Sequence, residues 1–193
     1  MSPARTKLAA LISAATRLPL LAVPLFLAVG AQAAGTRGLV WGLLCLFLTS
    51  GLSLVYLVYL ARSGKVRDPR SISRVERVGP LRVVAALHAG AFLIVTLLGA
   101  PAELRAALLS YALATLLFAL LTPLTNLSLH TAGVSGAVVC LIFVFGVWAS
   151  PAYLLVPLVW WARTLMGRHT QPELALGVLV GGGVTWLAFQ LIA

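Results

Sequence analysis

Residues 39 to 60 read LVWGLLCLFLTSGLSLVYLVYL, without a charged side chain anywhere in the stretch. At about 1.5 Å of rise per residue, a helix of that length crosses the roughly 30 Å hydrocarbon core of a bilayer. The rest of the chain repeats the pattern. Of its 193 residues 61% are hydrophobic and 9% are charged, whereas soluble domains are roughly 45–50% apolar and about 25% charged. Mean hydropathy is +1.05. Further apolar runs fall at about 18 to 34, 81 to 99, 106 to 123, 129 to 148, 152 to 166 and 174 to 192. The expected fold is all-α, a polytopic transmembrane helix bundle of six or seven spans forming one domain over 1–193. Pro19, Pro24, Pro123 and Pro157 mark places where a span can bend. The first span is the ambiguous one, because Arg5, Lys7, Arg17, a short apolar run and Ala31-Gln32-Ala33 together imitate a cleavable signal peptide over 1–34. Its removal would leave six spans and the same sidedness downstream.

Charge placement orients the spans. Alternating sides from the N-terminus puts Arg5, Lys7, Arg17, Arg62, Lys65, Arg67, Arg70, Arg74, Arg77, Arg82, Arg163 and Arg168 on one face and leaves Arg37 and Arg105 opposite. Lysine and arginine in short loops mark the cytoplasmic side, so the basic face is expected in the cytoplasm. The net charge of +10 follows from this topology and from attraction to anionic headgroups. Nucleic acid is not an expected partner, since no aromatic base-stacking platform accompanies the cations. Cys45 and Cys140 both fall inside spans and read as small packing residues, not as a disulfide or metal framework. Trp148, Tyr153, Trp160, Trp161 and Trp186 fall near span ends or faces, where aromatic rings anchor at the interface. His88, deep in the third span, reads as a packing group or an interhelical hydrogen bond.

Three polar stretches interrupt the apolar runs. The first, Gly64 to Pro80, is a basic loop in which Lys65 acts as a mobile point charge and Arg74 or Arg77 as a planar fork for phosphate. The second is Asn126-Leu127-Ser128-Leu129-His130. Asn126 or Ser128 can cap the fifth span, and a helix start also receives anions, with His130 one turn further on. The third is Arg163, then His169 six residues later, then Glu173 four residues after that. A cation for a phosphoryl oxygen, an imidazole to attack phosphorus and an acid to orient the imidazole suffice for phosphoryl transfer through histidine. Thr170-Gln-Pro-Glu173 also has the form of a capping box, so Glu173 can serve both the ring and the helix start.

Taken together, these stretches resemble the type 2 phosphatidic acid phosphatase superfamily, whose last motif has the same Arg-x5-His-x3-acid length. The resemblance covers Lys65 to Glu173. It implies that His169 is the nucleophile, Glu173 its orienting acid, His130 the group that protonates the leaving oxygen, and Lys65, Ser128, Arg163 and Arg74 or Arg77 the phosphate ligands. Ala162 stands where the family has serine, Leu127 and Leu129 where it has proline and glycine, and Glu173 where it has aspartate. Only one Asp and three Glu occur in the chain: Asp68, Glu76, Glu103 and Glu173. Such a supply does not suit a magnesium-dependent lipid enzyme, which clusters carboxylates around the ion. The expected activity is metal-independent hydrolysis of a lipid phosphate through phosphohistidine, with no cofactor. Its partners are then the lipid phosphate substrate, of isoprenoid (di)phosphate or phosphatidate type, and the surrounding membrane lipids. The alternatives are a non-catalytic lipid-binding protein and a transporter with a polybasic loop.

Overall fold

Helix is the only regular structure among the described residues of the computed structural model, which are 2–66 and 73–193. Arg67, Asp68 and Arg70 of the first polar stretch lie outside them. In chain order the helices are α1 (Pro3–Ala15), α2 (Leu18–Leu46), α3 (Leu52–Arg62), α4 (Arg74–Leu97), α5 (Ala102–Leu121), α6 (Leu129–Phe145), α7 (Leu155–Leu165) and α8 (Gln171–Ile192). A π stretch, Phe47–Gly51, joins α2 to α3, and a 3-10 stretch, Gly146–Leu154, joins α6 to α7. Among the described residues, five continuous helical segments are long and apolar enough to cross a membrane. The chain is an integral membrane protein with an all-α bundle.

Two of those segments are too long for one crossing. Leu18–Arg62 has 45 residues, about 67 Å if straight and twice a bilayer core. It turns back at Ala34 (φ −151°, ψ 27°) and Gly35 (φ 56°, ψ −133°), the second lying close to a backbone region that side chains exclude. Beyond the turn, Gly38 lies against the backbone of Gly30 and Gly42 against that of Phe26, pairs disposed symmetrically about residue 34 as an antiparallel hairpin requires. Leu129–Leu165, with 37 residues, reverses at Gly146 (φ 62°, ψ −147°). Val134 and Val138 of its first arm then cluster with Val159 of the second, and Ile142, Ala152 and Leu155 pack on them. Seven rods result, in the positions of the seven apolar runs. The chain ends at 63–66 and at Ser73, and the segments 122–128 and 166–170, therefore emerge on one face.

Two elements differ from the sequence expectation. The amphipathic helix α1 precedes the first span and rests on α7. The third span begins at Arg74, not near 81, because Ser73 caps it: Ser73 Oγ accepts the Glu76 N–H (3.3 Å) and Glu76 Oε2 accepts the Ser73 N–H (3.2 Å). Arg74 and Arg77 thus sit on the first turn of α4 rather than in a loop.

Among the described residues the contact between α6 and α8 is the most extensive between two helices. Within a bilayer, helices gain nothing from exchanging lipid for protein apolar surface, so close approach of small residues and hydrogen bonds across the interface decide the packing. Gly177 lies against Thr131 and the Ser128 carbonyl, and Gly181 against the Ala132 backbone. Thr131 Oγ1 donates to the Leu174 carbonyl at 3.1 Å, and Ser135 Oγ to the Val178 carbonyl at 3.1 Å. Residue numbers rise together along both helices, so they run parallel and begin on the same face. Of the Gly181-Gly182-Gly183 run, only Gly181 is in close contact with backbone; a methyl on Gly183 meets nothing within 4 Å. Gly181→Val is expected to lower the unfolding midpoint in detergent by the equivalent of about 1–3 kcal/mol, as overpacking does, while Gly183→Ala leaves it unchanged. Thermal unfolding of the two purified variants checks this.

Candidate active site

Because α6 and α8 start side by side, the stretch 126–131 is held against 169–174. The Ser128 N–H donates to the Glu173 carbonyl at 3.3 Å, tying the two helix starts together. His169 lies between them. Its Nδ1 is 2.9 Å from the Asn126 main-chain carbonyl. A carbonyl only accepts, so Nδ1 carries the proton and Nε2 keeps its lone pair. The Asn126 side chain in turn accepts from Arg77 Nη1 at 3.5 Å. Glu173 Oε2 is 3.6 Å from His169 Nδ1, and its hydrogen bond goes to the Thr170 N–H at 2.8 Å in the capping box of α8.

A second group closes the site from the α1 side. The carbonyl of Ser13, left open because α1 ends two residues later, accepts from His130 Nε2 at 3.1 Å. The Ser13 hydroxyl accepts from Arg163 Nη1 at 2.9 Å. Arg163 Nε is buried with no hydrogen-bond partner among the described residues. The negative end of the α1 dipole therefore faces the guanidinium and imidazole, an arrangement that favours positive charge on them. The electrostatic neighbours of His130 are Arg163, His169 and Arg17, and those of Arg163 are Arg168 and Arg77. Several cations thus crowd the face beside the Glu173 carboxylate. Among the described residues no three His, Cys, Asp or Glu side chains are placed to hold a metal ion together.

The expected site residues separate into two sets. Arg77, His130, Arg163, His169 and Glu173 converge. Arg74 is exposed at the start of α4, whereas Arg77 reaches the Asn126 side chain. Lys65 is exposed, with Nζ 3.3 Å from Tyr59 Oη and 5.2 Å from the ring centre, its partner being on its own α3 side. Ser128 is fully buried as the N-cap of α6, its Oγ accepting the Thr131 N–H at 3.4 Å, so its hydroxyl holds the helix and is closed to a ligand. Glu173 was expected to hold the His169 ring N–H; the Asn126 carbonyl takes that place, because the cap draws the carboxylate to Thr170. Ser13 gave no sequence signal, being a lone serine on an amphipathic helix, and Asn126 read only as a cap.

Burial holds the His169 pKa below its usual 6.5, and Arg163 lowers it further; the Asn126 carbonyl and Glu173 oppose this, and Arg77 adds a smaller lowering. His169 is thus neutral at pH 7. Comparison with protein-family models, with curated proteins and with solved structures yields no match.

A histidine whose pKa is depressed on folding contributes stability that is complete above 6.5 and is lost as pH falls toward the folded value. In an NMR titration of the purified protein, the His169 midpoint is expected below 6.5. Arg163→Gln should move it upward without reaching the usual value, since burial remains. A midpoint at or above 6.5 in the unsubstituted protein would contradict the arrangement.

Proposed function

We propose that the chain is a metal-independent lipid phosphatase working through phosphohistidine. The observation that carries the reading is the neutral His169 with Nδ1–H on a fixed carbonyl and its Nε2 lone pair unassigned, next to Arg77 and Arg163. The tautomer and position are those an attacking imidazole needs. Arg163 and Arg77 would take phosphoryl oxygens, whose charge is spread in the transition state.

The reaction proceeds in two displacements. His169 Nε2 attacks phosphorus in line as the bond to the lipid oxygen breaks, and His130, which takes up a proton from water as the phosphate anion enters beside it, gives that proton to the oxygen. The neutral imidazole left behind takes a proton from water, whose oxygen attacks phosphohistidine and releases inorganic phosphate while His169 recovers its lone pair. Ser13 would leave Arg163 and His130 as the phosphate enters, because both contacts are ones an anion makes better. Asn126 is a positioning residue, acting through the His169 ring. The positive charge bias puts this face toward the cytoplasm, so the lipid would enter from the inner leaflet.

The test is phosphate release from a panel of lipid phosphates by purified protein in detergent with EDTA present. Turnover is expected to persist in EDTA and to fall by at least roughly a thousand-fold in His169→Ala, as when other covalent nucleophiles are removed, with the unfolding midpoint retained. Full activity in that variant, or activity that appears only on adding a metal, would contradict the reading.

A further inference from the structure

Beneath the basic face lies an intramembrane cavity of about 320 Å³, within the range of small-ligand sites. It runs between α3, α4, α5, α6 and α8, and Leu18, Leu57, Leu81 and Leu129 line its upper part. Arg77, Leu81, Val84 and His88 succeed one another along α4 at steps of four, three and four, which is one helix face. The last three line the cavity. Arg77 therefore stands at its mouth and His88 roughly 16 Å below, about half of the hydrocarbon core.

The deep end is polar. His88 is 8% exposed, and its Nδ1 lies 2.8 Å from Thr115 Oγ1. That hydroxyl gives its own hydrogen to the Tyr111 carbonyl at 2.6 Å, so it accepts from His88. The Nδ1–H tautomer follows, and Nε2 is an acceptor. Its nearest partner is Ser53 Oγ at 3.4 Å, long for a hydrogen bond. The Tyr111 ring packs edge-on against His88 with centroids 5.6 Å apart, and its hydroxyl makes no hydrogen bond among the described residues. Ser53, His88, Tyr111 and Thr115 all line the cavity. A helix pair needing only an interhelical bond has one in His88 and Thr115. The weakly engaged imidazole nitrogen and the unengaged phenol of the ring packed against it are surplus to that need, and polar groups at this depth are costly unless used.

We propose that this deep end is a second recognition point, binding a hydroxyl on the hydrocarbon chain of the lipid phosphate, which donates to His88 Nε2 and accepts from Tyr111. Resting on the phosphatase reading for the head group, it makes the substrate class an amphiphile with a phosphate at one end and a hydroxyl about half a bilayer away.

The test uses two phosphonates, in which carbon replaces the scissile oxygen so that nothing is hydrolysed: dodecylphosphonate and its ω-hydroxy derivative. Equilibrium binding is measured to the full chain in nanodiscs. The hydroxy compound is expected to bind at least about tenfold more tightly, since sites built to pair a hydroxyl reject ligands that lack it. His88→Leu and the more conservative Tyr111→Phe should each erase most of that difference and leave dodecylphosphonate within about twofold. Equal affinities in the unsubstituted protein, a preference that survives both substitutions, or binding of neither compound would overturn the proposal. Failure of lipid-phosphate hydrolysis would count against the phosphatase alone, because this comparison needs no turnover.

Discussion

The backbone contact between α6 and α8 determines what else the molecule can build. Gly177 and Gly181 let the two helices approach until Thr131 and Ser135 reach across to the carbonyls of Leu174 and Val178. Each hydroxyl shares its hydrogen with a carbonyl of its own helix, those of Ser128 and Ala132, and lipid offers no hydrophobic gain for separating the pair. The register is therefore set by directional bonds rather than by apolar fit alone. Because the helices are parallel, that register brings the two polar stretches before them to the same depth, and His169 comes to rest on the Asn126 carbonyl. The Ser128 N–H on the Glu173 carbonyl is the last rung of the same ladder.

The membrane architecture was legible in the chain because hydropathy over about twenty residues is a local signal. Each apolar run became one rod, and both tight reversals occur where glycine takes a backbone conformation closed to other residues, Gly35 and Gly146. The start of α4 was legible too, in Ser73-x-x-Glu76, but the basic composition of that stretch reads more strongly as a loop. The Arg163, His169 and Glu173 spacing identified residues that do gather. Their hydrogen-bond partners were another matter. Which acceptor a ring nitrogen finds depends on angstrom-scale placement: Glu173, four residues away along the chain, loses to a carbonyl 43 residues away. Ser13 lies 150 residues from Arg163 and 117 from His130, and nothing local announces either contact.

Electrostatics gives the basic face its character. Arg77, Arg163, Arg168 and Arg17 gather near two imidazoles and the Glu173 carboxylate. Like charges this close repel unless something negative lies between them. In this structure the C-terminal end of α1 supplies part of that, through a hydroxyl and a free carbonyl carrying only partial charge. A phosphate would supply far more. Burial first and this repulsion second hold the His169 pKa below its usual value. Below it the cavity, lined by α4 and α6 among others, is the path into the membrane that the proposal gives to the lipid chain.

The most direct measurement is an experimental structure of the protein with orthovanadate, which mimics phosphorus under attack. Vanadate is expected in contact with His169 Nε2, Arg163 and Arg77, with His169 Nδ1 still on the Asn126 carbonyl and Ser13 displaced from Arg163. Vanadate bound elsewhere, with Ser13 still bridging Arg163 and His130, would contradict the shared anion site on which the proposed chemistry rests.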